Sequence, residues 1–206
     1  MPSKGIRQCI STEKEGQVST LVEILTDSAF DFLTTDKDTA HSYCSCFYDR
    51  EMERFRNSPI QLVEIGVALG GSIAMWSRYF PQGKILGIDI GIPDSIHQQL
   101  AKYSNVEIQL RDAYATQDVS LYPPMDVFVD DGPHTIESQV WSVENLTGRM
   151  KPGGLFIIED IQHPDYYHTL KEATPAHLRK HIEWVDLRKV KGRYDDLIFA
   201  IHIPIE

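Results

Sequence analysis

Two acidic runs in the sequence each follow a short apolar stretch. The first extends from Asp130 to His134, and the second is the pair Glu159-Asp160. If the apolar stretches are neighbouring parallel strands, ~4.8 Å apart, the carboxylates of Asp131, Glu159 and Asp160 can converge on one ion. These side chains supply only oxygen, which is the ligand atom that Mg²⁺ prefers in proteins. The pattern therefore indicates a divalent-metal site.

A structural interpretation fits the same spacing. Asp131 can cap a following helix, and either acid of the second pair can bind backbone amides. Glu159 and Asp160 are adjacent, so in a regular strand they would point to opposite faces. Both can ligate one ion only if the chain has left strand geometry there. His134 has two interpretations as well, because an imidazole with a pKa of ~6.5 suits a general base but is also common as a structural group.

A glycine-rich loop follows an earlier apolar run and has the spacing G-x-x-x-G-G. This spacing differs from the G-x-G-x-x-G of a dinucleotide site, and the sequence contains no G-K-[ST] of a P-loop. An acid before the glycines would repel phosphate but suits an amino group and a sulfonium, which favours S-adenosylmethionine. A glycine turn with no ligand is the alternative. The predicted cofactor contacts here are Glu64, Gly66, Gly70, Gly71, Ser72 and Asp89.

Asp89 lies 23 positions after Gly66, where its carboxylate can accept hydrogen bonds from ribose hydroxyls. Asp112 or its neighbour Arg111 is expected beside the adenine at the end of the third strand. Asp130 is expected in the same cofactor pocket, at the end of the fourth strand.

These residues need a sheet that brings strand ends together. Apolar residues at three- and four-residue spacing predict two helices within residues 18–32 and 43–55, the second ending before Pro59. Later helices are predicted through Met75, Trp76 and Tyr79, and from Ile136 to Leu146. Strand-sized runs cover residues 60–65, 84–90, 106–110, 126–130 and 155–158, the last after a turn at 151–154. Two further runs, 182–190 and 197–203, predict a terminal antiparallel hairpin around residues 191–192.

Alternating strands and helices imply a doubly wound, mostly parallel seven-stranded α/β sheet with a C-terminal hairpin and an N-terminal helical segment. Residues 1–58 are expected to form a helical segment that helps cover the cofactor, and residues 59–206 the main domain.

The net charge of −10 argues against a nucleic-acid or anionic-membrane partner. Because the N-terminus lacks the apolar core of a signal peptide and no run is long enough to span a bilayer, we expect a cytoplasmic protein. A homo-oligomer is compatible with the sequence.

Four linked blocks of the sequence form a recognisable set. They are Thr35-Asp36-Lys37 with His41-Ser42-Tyr43, Leu62 to Val67 with Gly70-Gly71-Ser72, Met75-Trp76 with Tyr79-Phe80-Pro81, and Asp131-Gly132-Pro133-His134 with Ile158-Glu159-Asp160-Ile161. With these blocks the chain resembles the metal-dependent O-methyltransferases of macrolide and related glycoside biosynthesis. Cephalosporin-modifying enzymes share the same blocks, so the resemblance does not fix the substrate.

The resemblance implies a class I methyltransferase that uses S-adenosylmethionine and Mg²⁺ to methylate a hydroxyl of a small molecule, a sugar or a glycosylated natural product. It implies Mg²⁺ ligation by Asp131, Glu159 and Asp160, with His134 as the base.

In that family the Thr-Asp-Lys segment covers the cofactor, which would bring Thr35, Lys37 and Tyr43 to the site. The alternative acceptors are a catechol-like phenol or a carboxylate. A binding protein that keeps the fold without the chemistry is a different class of alternative, and a dehydrogenase is weakened by the glycine spacing.

Overall fold

The computed structural model describes residues 20–27, 33–115 and 118–205. Seven strands form one sheet in the order β3-β2-β1-β4-β5-β7-β6, with β7 antiparallel to both of its neighbours and the other pairs parallel. The predicted doubly wound sheet with a terminal antiparallel pair is therefore confirmed. The strands are β1 Gln61–Ile65, β2 Lys84–Asp89, β3 Val106–Leu110, β4 Met125–Asp130, β5 Met150–Ile158, β6 Ile182–Asp186 and β7 Leu197–His202.

Helices cover both faces of this sheet. The α-helices are α1 Leu21–Thr26, α2 Asp49–Met52, α3 Gly71–Tyr79, α4 Asp94–Leu100, α5 Ile136–Leu146, α6 Tyr166–Ala173 and α7 Arg188–Lys191. A π-helical turn, Cys44–Tyr48, leads into α2, and 3-10 turns lie at Glu53–Phe55, Val119–Leu121, Thr147–Arg149 and Arg179–His181. No helix among the described residues is long and apolar enough to cross a membrane.

The strand register places the acidic runs side by side. Ile65 of β1 is paired with Asp130 of β4, and Asp130 with Ile158 of β5. Since β1, β4 and β5 are parallel, their carboxyl ends lie at one edge of the sheet, where the order reverses between β1 and β4. Ligands of such sheets bind at this switch point. The fold thus brings the glycine-rich loop and both acidic runs to one place.

Apolar residues of the central strands explain why they pair in the interior. Leu62, Val63, Val127 and Phe128 are fully buried, since helices pack on both faces of the parallel strands. Trp76 of α3 is also fully buried, as predicted, and its ring contacts Tyr48 edge to face at 5.1 Å.

The prediction that a turn at residues 151–154 precedes the fifth strand was wrong. These residues belong to β5, where the register passes from Met125↔Met150 to Val127↔Leu155 and so leaves three extra residues on β5. Gly153 adopts a φ of +78° within this bulge, a conformation that glycine reaches without strain. A bulge accommodates the Pro-Gly-Gly sequence without ending the strand.

The predicted strand over residues 182–190 is too long. It ends at Asp186, whose carboxylate accepts a hydrogen bond from the Arg188 backbone N–H (3.2 Å) and pairs with the Arg188 guanidinium (2.7 Å). These contacts turn the chain into the short helix α7, which Gly192 ends with a φ of +78°. The antiparallel pairing of β6 with β7 is confirmed.

The first predicted helix is confirmed over α1. Thr20 and Glu23 cap its N-terminus with reciprocal hydrogen bonds between side chain and backbone. Val18, Ala29 and Phe32 lie outside the described residues. The second predicted helix is present as three consecutive helical turns that end at Phe55, before Pro59.

Candidate active site

A cavity of about 1040 Å³ opens at the carboxyl ends of β1, β2, β4 and β5. It is within the size range of small-molecule sites. The predicted site residues that line it are Thr35, Gly66, Ser72, Asp89, Arg111, Asp112, Asp131, His134 and Asp160. The predicted residues that do not line it are Lys37, Tyr43, Glu64, Gly70, Gly71, Asp130 and Glu159. Gly70 faces the core instead, where a Cβ would lie 3.0 Å from the Ile96 side chain. The contacts of the other residues in the second group are described below.

The glycine-rich loop forms one wall and packs tightly against the chain after β4. A Cβ on Gly66 would lie 2.0 Å from the Asp131 carbonyl oxygen, so no larger residue fits there, and φ at Gly66 is +94°. Ala68 has a φ of +45°, which is unusual for alanine and common where function constrains the backbone. The Asp89 carboxylate holds this loop by accepting hydrogen bonds from Val67 N (2.8 Å) and Ala68 N (3.1 Å).

The segment from Thr34 to Tyr43 covers the cavity and rests on the same loop. A Cβ on Gly71 would lie 2.2 Å from the Thr34 carbonyl carbon, and the Gly71 N–H donates to the Thr34 carbonyl at 3.1 Å. Gly71 is therefore required for the contact between the loop and this covering segment. Thr34 and Thr35 line the cavity themselves.

The acids that face the cavity converge near one histidine. Nε2 of His134 lies 4.0 Å from an oxygen of Asp131 and 3.7 Å from an oxygen of Asp160. His134 and Asp160 both have left-handed backbones, with φ of +57° and +52°. The chain has thus left strand geometry at Asp160, which is the condition that ligation by both adjacent acids requires. Strained backbone at two such residues is typical of functional sites.

Glu159 turns away from the cavity and is fully buried. Its Oε1 binds the ammonium of Lys37, which also contacts Asp131 Oδ2 at 2.7 Å and Glu64 Oε1 at 3.3 Å. Burial alone would lower the pKa of Lys37, but the three carboxylates raise it well above its usual value. Burial raises the pKa of Glu159, and the Lys37 charge opposes that rise.

Glu64 is behind the glycine loop rather than on its surface. It is fully buried and accepts a hydrogen bond from the Trp76 indole N–H in addition to the Lys37 contact. Burial raises the pKa of its carboxyl group, which Lys37 partly offsets. Its role in this structure is to hold Lys37 and Trp76.

Asp130 is likewise buried, but neutral groups bind it. Its carboxylate accepts hydrogen bonds from Tyr114 Oη (2.6 Å), Ser142 Oγ (2.6 Å) and Gly132 N (3.2 Å). Burial raises its pKa, against the effect of these donors. The same contacts place Tyr114 on the cavity wall, where its ring packs edge to face on Trp141 at 5.6 Å.

A buried network that sequence reasoning missed supports Asp160. The Tyr43 hydroxyl donates to Asp160 and to the Asp195 carbonyl (3.2 Å), while His41 Nδ1 pairs with Asp196 and lies 3.4 Å from Asp160. Burial lowers the pKa of His41, but hydrogen bonds to Asp36 and Asp196 and the charge of Asp160 raise it overall. These contacts give a role to the acids that precede β7, whose sequence carried no recognisable motif.

Two aromatic residues of the wall were also missed. Trp141 lies on α5, one position after Val140 of the apolar stripe. It lines the cavity together with Tyr114, which had no predicted role. An aromatic side chain one position from the apolar stripe of a helix was the available signal.

No family model matches the chain. It is 34% identical over 135 residues to the 8-demethyl-8-alpha-L-rhamnosyl tetracenomycin-C 2'-O-methyltransferase of Streptomyces olivaceus, which covers 62% of this chain and 35% of that protein. It is also 34% identical over 122 residues to the mycinamicin VI 2''-O-methyltransferase of Micromonospora griseorubida, covering 55% of this chain and 30% of that protein. The chain therefore spans about a third of the length of these curated relatives.

The fold is that of a solved methyltransferase. The MycE methyltransferase of the mycinamycin biosynthetic pathway, in complex with Mg and SAH, superposes with a TM-score of 0.61 at 22% identity, over 80% of this chain and 50% of that one. The class I methyltransferase fold is thus confirmed, and the chain is similar in sequence to sugar O-methyltransferases of natural-product pathways.

Proposed function

We propose that this protein is an O-methyltransferase that uses S-adenosylmethionine and a divalent cation to methylate a hydroxyl of a small molecule, a sugar or glycosylated natural product. The single observation that carries the proposal is the cavity in which a glycine-rich loop held by Asp89 faces the group Asp131, His134 and Asp160. The named activities of the relatives support it, since they are O-methyltransferases of rhamnosyl and macrolide compounds.

The cofactor part of the cavity suits S-adenosylmethionine. Gly66 lines the cavity and lets the loop pack against the Asp131 backbone, and Asp89 offers carboxylate oxygen near the loop. Asp112 and Arg111 line the same cavity beyond β3, with Tyr114 and Trp141 beside them. Carboxylates around a cationic sulfonium and amino group are electrostatically favourable, which a phosphate-bearing cofactor would not find here.

The residues present also fit a divalent cation. Asp131 and Asp160 face the cavity, and Oε2 of Glu159 is buried without a hydrogen-bond partner among the described residues. Oxygen donors of this kind suit Mg²⁺. When bound, such an ion supplies Lewis-acid polarisation of an acceptor hydroxyl.

In the proposed reaction His134 accepts the proton of the acceptor hydroxyl at Nε2, the nitrogen that faces Asp131 and Asp160. Its other ring nitrogen, Nδ1, is buried without a partner among the described residues. The two carboxylates stabilise the imidazolium that forms. The segment from Thr34 to Tyr43 covers the cavity and limits access of water to the reacting groups.

The remaining expectations belong to the same proposal. The segment of residues 1–58 contributes part of the cofactor lid, residues 59–206 form the transferase domain, and the protein works in the cytoplasm. Its partner is the small-molecule acceptor, with no nucleic acid or membrane, and self-association is compatible with this function.

The test is methyl transfer from labelled S-adenosylmethionine to a panel of glycosides, with catechol and carboxylate acceptors as alternatives, in the presence of Mg²⁺ and then of EDTA. We expect labelled ether products from the glycosides, lost with EDTA. His134→Ala should lower turnover about 10³-fold and leave the affinity for S-adenosylhomocysteine nearly unchanged. Transfer to carboxylates alone, or no transfer to any acceptor by folded protein, would reject the proposal.

A further inference from the structure

Lys37 places a positive charge among three carboxylates in the protein interior. It is 1% exposed, and its ammonium contacts Glu159, Asp131 and Glu64. Asp131 is shared between two environments, because Oδ2 binds Lys37 while Oδ1 faces His134 and the cavity. The ammonium thus binds two of the three acids that are expected to hold the divalent cation.

The backbone around Lys37 is held firmly in place. Its N–H donates to Thr35 Oγ1 (3.3 Å), and its carbonyl accepts from Tyr43 N (2.9 Å). The Lys191 ammonium, on α7, binds the carbonyls of Thr39 (3.3 Å) and His41 (2.6 Å) on the same segment. The backbone at Lys37 is therefore held by hydrogen bonds within its own segment, and that segment is bound by Lys191 from a distant part of the chain.

A divalent ion bound by both Asp131 and Glu159 would lie on the same two carboxylates as the Lys37 ammonium. Two cations beside the fully buried Glu159 and the partly buried Asp131 repel strongly, because screening by water is weak there. At the same time, three carboxylates without any cation would repel one another. The cluster is thus suited to hold one cation at a time between Asp131 and Glu159.

We propose that Lys37 is a tethered counter-ion that competes with the divalent cation for Asp131 and Glu159. The ion enters by displacing the ammonium, and Lys37 therefore weakens divalent-cation binding and keeps the carboxylates in place when no ion is present. This inference rests on the metal-dependent reaction proposed above. It also links metal binding to the covering segment that carries Lys37.

The experiment measures Mn²⁺ binding by the full chain, from the free Mn²⁺ signal in electron paramagnetic resonance. The variants are Lys37→Met, the charge-conserving double variant Lys37→Met with Glu64→Gln, and Lys102→Met. Lys102 is exposed, and Lys102→Met changes the net charge by the same amount as Lys37→Met. This variant therefore controls for the general attraction of cations to the protein.

We expect both variants that lack Lys37 to bind Mn²⁺ at least about tenfold more tightly than the unchanged protein. Lys102→Met should bind like the unchanged protein. If the unchanged protein binds Mn²⁺ and both Lys37 variants bind it equally or more weakly, this inference is overturned and the proposed function stays intact. Absence of Mn²⁺ binding in every variant overturns both.

Thermal unfolding provides a second measurement that does not depend on activity. Removing Lys37 leaves buried carboxylates without a counter-ion, so the single variant should unfold at a lower temperature than the unchanged protein. Mn²⁺ should then raise its unfolding temperature more than it raises that of the unchanged protein. The double variant also removes the charge of Glu64, so it should unfold at a higher temperature than the single variant. An equal Mn²⁺ shift in all proteins contradicts the competition.

Discussion

Two adjacent acids lie at the end of β4, and two more lie at the end of β5. The two pairs have the same orientation in the structure, but their side chains bind different partners. In both pairs the first acid turns into the protein and the second faces the cavity. Asp130 is bound by two hydroxyls and a backbone N–H, whereas Glu159 is bound by the ammonium of Lys37.

The difference separates a permanent partner from an exchangeable one. Hydroxyl and amide donors are directional and each is aimed at Asp130, so that acid is fixed as part of the fold. An ammonium is a point charge on a flexible side chain, and here three carboxylates share it. A second cation can therefore replace it at Glu159 but has no place at Asp130.

The largest effect should follow from changing the cavity-facing acid of the β4 pair. Asp131→Asn removes a charge that Lys37 and the proposed divalent cation share. We expect methyl transfer to fall on the order of 10²–10³-fold, because charge at the reacting centre is lost. Initial rates at saturating acceptor and Mg²⁺ measure this. A change of less than about threefold would show that Asp131 is not in the reacting centre.

A smaller effect, on stability, should follow from changing the inward-facing acid of the same pair. Asp130→Asn keeps one acceptor oxygen for Tyr114 and Gly132 but places an amide N–H₂ against the Ser142 hydroxyl that donates to Asp130, and the cost should be about 1–3 kcal/mol in the free energy of unfolding. Urea denaturation with and without Mg²⁺ measures it, and the loss should be equal in both conditions.

Glu159→Gln is the matched control for that measurement. Its effect on stability should change when Mg²⁺ is added, because the charge it removes is one that Lys37 and the ion exchange. If Asp130→Asn responded to Mg²⁺ and Glu159→Gln did not, the distinction between the two inward-facing acids would be wrong.

The smallest effect concerns Asp49, an acid outside both pairs. Asp49 accepts a hydrogen bond from Leu21 N at 2.7 Å, and burial raises its pKa from 3.8 to about 6 against the effect of that bond. Since the folded-state pKa is above the unfolded value, this group stabilises the fold most below pH ~4, and stability falls as pH rises through about 6.

Asp49→Asn should therefore raise stability at pH 8 by up to about 1 kcal/mol, a figure reduced for solvent screening at a partly exposed site. The gain should be smaller at pH 4, where Asp49 is protonated in the folded protein. Urea denaturation at the two pH values measures it, and a loss of stability at pH 8 would contradict the assignment.

The sheet could be predicted because its signals are local. Apolar runs of four to nine residues identified the strands, and the glycine loop and acidic runs lay at the ends of three of them. The errors at residues 151–154 and 187–190 arose where a bulge and an aspartate side chain changed the local path of the chain. Sequence spacing does not distinguish a bulge from a turn, since both use proline and glycine.

The interior of the site could not be predicted, because its contacts join residues far apart in the chain. Lys37 contacts Asp131 and Glu159 across 94 and 122 positions, and His41 contacts Asp196 across 155. Periodicity shows which residues are buried but not which buried charges meet. That Glu159 faces Lys37 while Asp160 accepts a hydrogen bond from Tyr43 is likewise a set of contacts between residues far apart in the chain.

The most direct test of the central claim is a calorimetric titration of the full chain with S-adenosylhomocysteine, with NAD as the control ligand and Gly66→Ala as the control variant. The account predicts saturable binding of S-adenosylhomocysteine near one equivalent, no binding of NAD, and loss of binding in the variant, whose added methyl would meet the Asp131 carbonyl. Failure of the folded, unchanged protein to bind S-adenosylhomocysteine would contradict the methyltransferase function and favour a binding protein that keeps the fold without the chemistry.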